Sequence, residues 1–253
     1  MKNVILHAEN LCKSFFQGKT ETEILKSVTA DIYEGDFTVI MGASGAGKST
    51  LLYTLSGMDS ITEGEIIFNE KRLNALSEKE MARIRAEEFG FVFQQTHLVS
   101  NLTLFENVAV AGYANKSRNI KDVKENALRL LEQMGAGKAK DRLPSLVSGG
   151  EAQRAAIARA VINEPRLIFA DEPTGALNKS NSEEVLNLLT KLNEQGQSIL
   201  MVTHDINAAL HGNRILYLED GRILDELVLS RYDRENQRER QNEVSGWLSA
   251  LRW

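Results

Sequence analysis

With 253 residues, 42% of them hydrophobic, the chain can bury a full α/β core as one large domain or a domain with a subdomain, which excludes general disorder. Its single cysteine, Cys12, excludes an internal disulfide framework and points to a reducing compartment, and no apolar run approaches the roughly 20 residues that cross a bilayer. A formal net charge of −5 removes any general electrostatic attraction to nucleic acid or anionic lipid.

The N-terminal segment MKNVILHAENLCKSF has neither the apolar core nor the cleavage site of a signal peptide. Residues 4–9, 28–32 and 65–69 predict short antiparallel strands, with Gly18 and Gly64 among the turn residues between them. A strand at 37–41 opens a second pattern, in which strands at 166–170, 198–202 and 214–218 alternate with longer helical stretches. That alternation gives a mainly parallel sheet covered by helices, here with an antiparallel flank. Between 95 and 165 the pattern is mostly helical, with Val123, Ala127, Leu130, Leu131 and Met134 on one apolar stripe. It predicts a helical subdomain, at about 96–164, inserted into the core. From residue 226 the tail is rich in Arg, Glu and Gln and ends VSGWLSALRW, where Val244, Trp247, Leu248 and Leu251 share one face of a short amphipathic helix. That helix has three candidate supports: its own core, a paired subunit or a membrane partner.

The strongest chemical signal follows the strand at 37–41. Gly42, Ala43, Ser44, Gly45, Ala46, Gly47, Lys48 and Ser49 read GASGAGKS, and Thr50 with LLYTL continues into a helix. Glycines let such a loop curl so that backbone N–H groups face a phosphate, and the helix start adds its positive dipole end. Lys48 is placed for the β- and γ-phosphates and the Ser49 hydroxyl for Mg²⁺. A glycine turn that only capped a helix would not need all eight positions in this context. The strand RLIFADE ends in two carboxylates: Asp171 can hold Mg²⁺ through its water shell, and Glu172 is placed to polarise an attacking water.

The segment SGGEAQR, residues 148–154, resembles the signature loop of ABC ATPases, and further family elements stand in the family's order. FVFQQ places Gln94 as the Q-loop glutamine, DEPTGALN leads to a D-loop at Asn178, MVTHD places His204 as the switch histidine, and KSF places Phe15 where the family stacks an aromatic on adenine. The resemblance covers about residues 4–225, leaving 226–253 as a C-terminal segment. It implies a P-loop NTPase core of the RecA-like kind, with ATP and Mg²⁺ as cofactors. It also implies a homodimer in which Ser148, Gly149, Gly150 and Glu151 of one chain cover the γ-phosphate of the ATP held by the other. In this scheme Glu172 is the base for the water, His204 bonds and senses the γ-phosphate, Lys48 binds it, and Ser49, Gln94 and Asp171 serve the metal.

Two positions depart from the family's commonest pattern. Glu151 replaces a glutamine and is expected to point away from phosphate, and Asn178 replaces an aspartate, which bears on coupling between the two sites. The wording IMGASGAGKSTLL, GFVFQQTHLVSNLTLFENV and VTHDINAALHGNRILYLEDG is similar to the branch serving antimicrobial-peptide export and resistance, lipoprotein release and cell division. It implies a peripheral subunit at the cytoplasmic face of the membrane, docked on an FtsX-like integral permease and not on nucleic acid. Leu98, Leu102 and Phe105 lie where such a permease is expected to dock. Soluble ABC ATPases are the alternative: those of translation or chromosome maintenance carry two cassettes or a long coiled coil, neither of which is present, and an assembly factor for iron–sulfur clusters would be told apart by soluble partners in a pull-down.

Overall fold

Strands form where apolar runs meet turn residues, and helices form where the apolar period lengthens. A computed structural model describes residues 2–18 and 20–251. The chain begins β1 (Val4–Gln17), β2 (Thr20–Tyr33), β3 (Phe37–Met41), α1 (Lys48–Leu55), β4 (Glu63–Phe68), β5 (Lys71–Arg72) and α2 (Glu78–Glu87). It continues β6 (Phe89–Phe93), α3 (Leu104–Ala114), α4 (Ile120–Gln133), α5 (Gly149–Val161), β7 (Leu167–Asp171) and α6 (Lys179–Glu194). It ends β8 (Ser198–Val202), α7 (Ile206–Ala209), β9 (Arg214–Glu219), β10 (Arg222–Val228) and α8 (Gln237–Ala250). These elements form two compact units: the described residues of Met1–Met81 with Asn193–Trp253, and Ala82–Leu192.

In the first unit β3 is buried along its whole length and pairs in parallel with β8 on one side and β9 on the other. Both faces of such a strand are covered, so it reads as a continuous apolar run. The expected strands at 37–41 and 198–202 coincide with β3 and β8, and β9 runs one residue past 218. A separate antiparallel sheet has the order β2-β1-β4-β5. Its first hairpin is longer than expected, because residues 14–17 pair in register with 20–23, beyond an irregularity between Lys13 and Ser14. Those distal halves are mostly exposed on both faces and carry no alternating signal. β10, antiparallel to β9 and also mostly exposed, was hidden for the same reason, and it runs through residues 225 and 226.

The tail helix packs on its own unit. Val244 and Leu248 of α8 are buried, and the Trp247 indole N–H donates to Asp225 Oδ2 at 2.9 Å while its ring meets the edge of Tyr217. Buried Arg240 donates to the carbonyls of Leu210, Ser230 and Gly212. Arg252 and Trp253 lie outside the described residues.

In the second unit β6 and β7 pair in parallel, Phe93 standing opposite Asp171. The expected strand at 166–170 is observed one residue later. β6 carries no period-2 signal because nearly every side chain is aromatic or aliphatic; Phe89 and Phe91 pack on Phe169 with centroids 5.0 and 5.7 Å apart. Helices α3, α4 and α5 pack on one another through buried Val108, Val123, Ala127, Leu131 and Ile157. No helix among the described residues is long and apolar enough to cross a membrane.

Candidate functional site

In the first unit the loop Gly42–Ser49 leaves the C-terminal end of β3 and enters α1. Gly47, the residue before α1, has φ 101° and therefore sits in the left-handed region that favours glycine. A side chain there would also press on Leu25, whose Cδ2 would lie 3.1 Å from the new Cβ. Lys48 folds back over the loop and donates to the carbonyls of Gly42 and Ala43 at 2.8 and 2.9 Å. The loop is thereby curled with Ala43, Ser44 and Gly45 exposed at its apex. The start of α1 has no capping side chain and no acidic residue in its first turn. Those are the conditions under which helix N–H groups and the dipole attract an anion. With an ammonium and the Ser49 and Thr50 hydroxyls beside it, this donor set fits a polyphosphate with a hard cation.

His204 leaves β8 from the same end. Ile40 and Val202 are register partners, and Thr203 N–H donates to the Ile40 carbonyl at 3.1 Å, so the histidine emerges beside the phosphate loop. Asp205 turns the chain, its side chain accepting from Asn207 N–H at 2.8 Å to start α7. Phe15, half-exposed on β1, has the Lys13 ammonium 4.8 Å from its ring centroid.

The second unit gathers the other named residues. Gln94 and Glu172 follow the C-terminal ends of the parallel pair β6 and β7. The Gln94 amide packs so tightly on Gly175 that a Cβ there would stand 2.8 Å from Nε2. Glu172 has φ 42°, the left-handed region that non-glycine residues avoid, while Asp171 before it is buried at the strand end. Local strain of this kind persists only where surrounding structure imposes it. Asn178, the second departure, starts α6: its side-chain oxygen accepts from Asn181 N–H at 3.0 Å. Asn and Asp are about equal in that role. Asn181 in turn packs on Gly150, and Leu177 on Gly149, so the segment after Glu172 lies against the start of α5.

At that start Ser148 and Glu151 form a reciprocal cap. Ser148 N–H and Oγ both donate to Glu151 Oε2 at 2.8 Å, and Glu151 N–H donates to Ser148 Oγ at 3.2 Å. The Glu151 carboxylate thus folds back onto the serine that caps its own helix. The Ser148 N–H, then its hydroxyl, hold the Glu151 carboxyl below its ordinary range.

Two residues escaped the sequence reading. Gln153, buried in α5, donates to the Phe93 carbonyl at 3.0 Å. Arg159 donates to the carbonyls of Thr96 and His97 at 2.7 and 2.8 Å. Together they grip the chain on both sides of Gln94. The only signal for Gln153 was its place within SGGEAQR.

Known proteins with related sequences and folds identify the family of this chain. The family model described as "ABC transporter" matches residues 25–175. The chain is 41% identical over 224 residues to the macrolide export ATP-binding/permease protein MacB of Pasteurella multocida (strain Pm70), covering 88% of this chain and 34% of that protein. It therefore spans about a third of the length of that curated relative. A dimeric post-hydrolysis structure of the ATP-binding cassette MJ0796, bound to ADP and phosphate, superposes with TM-score 0.83 at 38% identity, covering 90% of this chain and 100% of that one. CbiO1 from Clostridium perfringens, part of the transporter complex cbiONQ, superposes with TM-score 0.80 at 26% identity, covering 99% of this chain and 94% of that one.

Proposed function

Because the chain belongs to the ABC transporter family, we propose that it works as the ATP-hydrolysing motor of a membrane permease, two copies closing on two ATP molecules. As an ABC ATPase it takes ATP together with Mg²⁺. The observation that carries the reading is the uncapped, acid-free start of α1 with Lys48 curled over its loop. Bound Mg²⁺ neutralises charge on the triphosphate. Ser49 in the first unit, and Asp171 and Gln94 in the second, are the residues we assign to it. Lys48 binds phosphate, Glu172 takes a proton from the attacking water, His204 holds the γ-phosphate, and Phe15 stacks on the base. The loop from Ser148 to Glu151 covers the nucleotide held by the other copy.

The partner is an FtsX-like permease, which places the chain at the cytoplasmic face of a membrane. A relative whose name joins an ATP-binding and a permease function supports this. So does a cavity of about 410 Å³ within the first unit, lined by Met58, Ile61, Leu73 and Met81 together with Asp59 and Glu63. Apolar side chains beside acidic ones are what an amphipathic helix of a partner requires. The cargo we assign is of the antimicrobial class, peptide or macrolide, with lipoprotein release and cell division as neighbouring tasks in the same branch.

Glu172→Gln tests the motor. Turnover should stop while ATP still binds, and an ATP-held pair should accumulate on size-exclusion chromatography. Hydrolysis near the wild-type rate would remove Glu172 from its role, and a monomer at saturating ATP would remove the pairing.

A further inference from the structure

We propose that Lys13 is a positioning residue for the nucleotide base: its ammonium, set against one face of the Phe15 ring, fixes that ring for stacking on adenine. This rests on Phe15 being the base-stacking residue, as assigned above.

Lys13 is only 6% exposed, an unusual place for a charge. Its ammonium donates to Asp59 Oδ1 at 2.7 Å and to the Ser60 carbonyl at 2.6 Å, and it stands 4.8 Å from the Phe15 centroid. The ring itself is 47% exposed. A phenyl ring with a cation on one face and solvent access elsewhere is prepared for a planar partner. The cation draws π-density toward itself, so the opposite face repels the π-cloud of a purine less. It also restrains the ring before any base arrives, which lowers the entropy lost on stacking.

The surrounding contacts tie this arrangement to the phosphate loop. Lys13 faces Leu25 across the β1–β2 register, and Leu25 is the side chain that crowds Gly47. Asp59, the anchor of the ammonium, is held at the far end of α1, where its N–H donates to the Tyr53 carbonyl at 3.1 Å. The start of α1 is the phosphate site, and its end fixes the residue that fixes the ring. Base and phosphate positions are thus referred to one helix.

The experiment is equilibrium binding by the full chain of ATP and, separately, of inorganic tripolyphosphate, which has no base. Lys13→Met should weaken ATP about 2-fold to 30-fold, the range of a cation–π contact between exposed and desolvated sites, and leave tripolyphosphate unchanged. Lys13→Arg should restore ATP affinity, and Lys13→Met should add nothing in a Phe15→Ala background. The double variant Lys13→Met with Asp59→Asn removes the carboxylate that the single change leaves without its cation, and should behave like the single variant. Wild-type ATP affinity in both Met variants, with Phe15→Ala impaired, overturns the role of Lys13 alone. Equal loss of ATP and tripolyphosphate also overturns it, since the lysine would then serve the fold. If Phe15→Ala leaves ATP affinity intact, the base-stacking assignment falls and this proposal with it.

Discussion

Replacing Glu151 by glutamine should move two measurements in opposite directions. The carboxylate accepts two hydrogen bonds from Ser148, at 2.8 Å each. Bonds to a charged acceptor contribute about 1.5–3 kcal/mol net, and neutral ones about 0.5–1.5 kcal/mol. Two bonds weakened in this way suggest about 2–3 kcal/mol, but the pair lies near solvent and surface screening reduces that to about 1 kcal/mol, the usual worth of a helix cap. The variant should therefore unfold about 1 kcal/mol more easily in a denaturant titration. In the proposed pairing, however, Ser148 must turn its hydroxyl from Glu151 to a phosphate of the partner's nucleotide. The same weakening makes that release easier, and one negative charge leaves the neighbourhood of a polyanion. ATP-driven pairing of the Glu172→Gln background should tighten by about 5-fold, the equivalent of about 1 kcal/mol, and most at low salt. The assay is sedimentation or light scattering against ATP concentration at two ionic strengths. If pairing weakens together with stability, Glu151 is only a cap and the competition argument is wrong.

The pH dependence of the same cap has a fixed sign: the folded carboxyl lies below its ordinary 4.5, so its stabilisation is full above that value and is lost as pH falls through the folded pKa; Glu151→Gln should flatten that part of the acid unfolding curve. Asn178→Asp should leave stability within about 0.5 kcal/mol, whereas Asn178→Ala should lose about 1 kcal/mol in the same titration. Arg240→Ala strips three carbonyls of their donor, and the loop of Leu210 and Gly212 should show faster amide hydrogen exchange together with α8. A polar substitution at Leu102 or Phe105, both partly exposed, should spare ATP binding but reduce recovery with permease-containing membranes; full recovery would leave the cavity lined by Met58 and Met81 as the docking surface.

Legibility in the sequence followed the range of the interactions. β3 and β8 were readable because a strand covered on both faces must be apolar throughout, and the phosphate loop because eight consecutive positions carry its geometry. β10 and the outer half of the first hairpin were not, since exposed pairing leaves no pattern in side-chain polarity. Among site residues, those that act through their own chemistry stood out by type and spacing, as Lys48, Glu172 and His204 did. Those that act by holding others did not: Lys13 meets Asp59 across 46 positions, and Gln153 meets Phe93 across 60. Glu151 shows the intermediate case. A serine followed three residues later by a glutamate is a capping signature, yet comparison with a glutamine motif drew attention to its charge instead.

The second unit gains from these long-range bonds a mechanical property that no single motif has. α5 is capped by Ser148, buries Gln153 against the end of β6, and grips Thr96 and His97 through Arg159. Burial draws the Arg159 pKa down, but a guanidinium stays charged throughout the working range, so this grip does not titrate. On its other side the helix start rests on Leu177 and Asn181, while Gln94 rests on Gly175 of the same segment. Gln94 and Ser148 are therefore joined by two routes, one through α5 and one through residues 175–181. A close-packed connection transmits displacement and does not absorb it. In the proposed function Gln94 serves the metal of its own chain and Ser148 the nucleotide of the other. Under that proposal, movement of either loop would be felt at the other, and the two ATP sites of a pair would be coupled through the second unit of each copy.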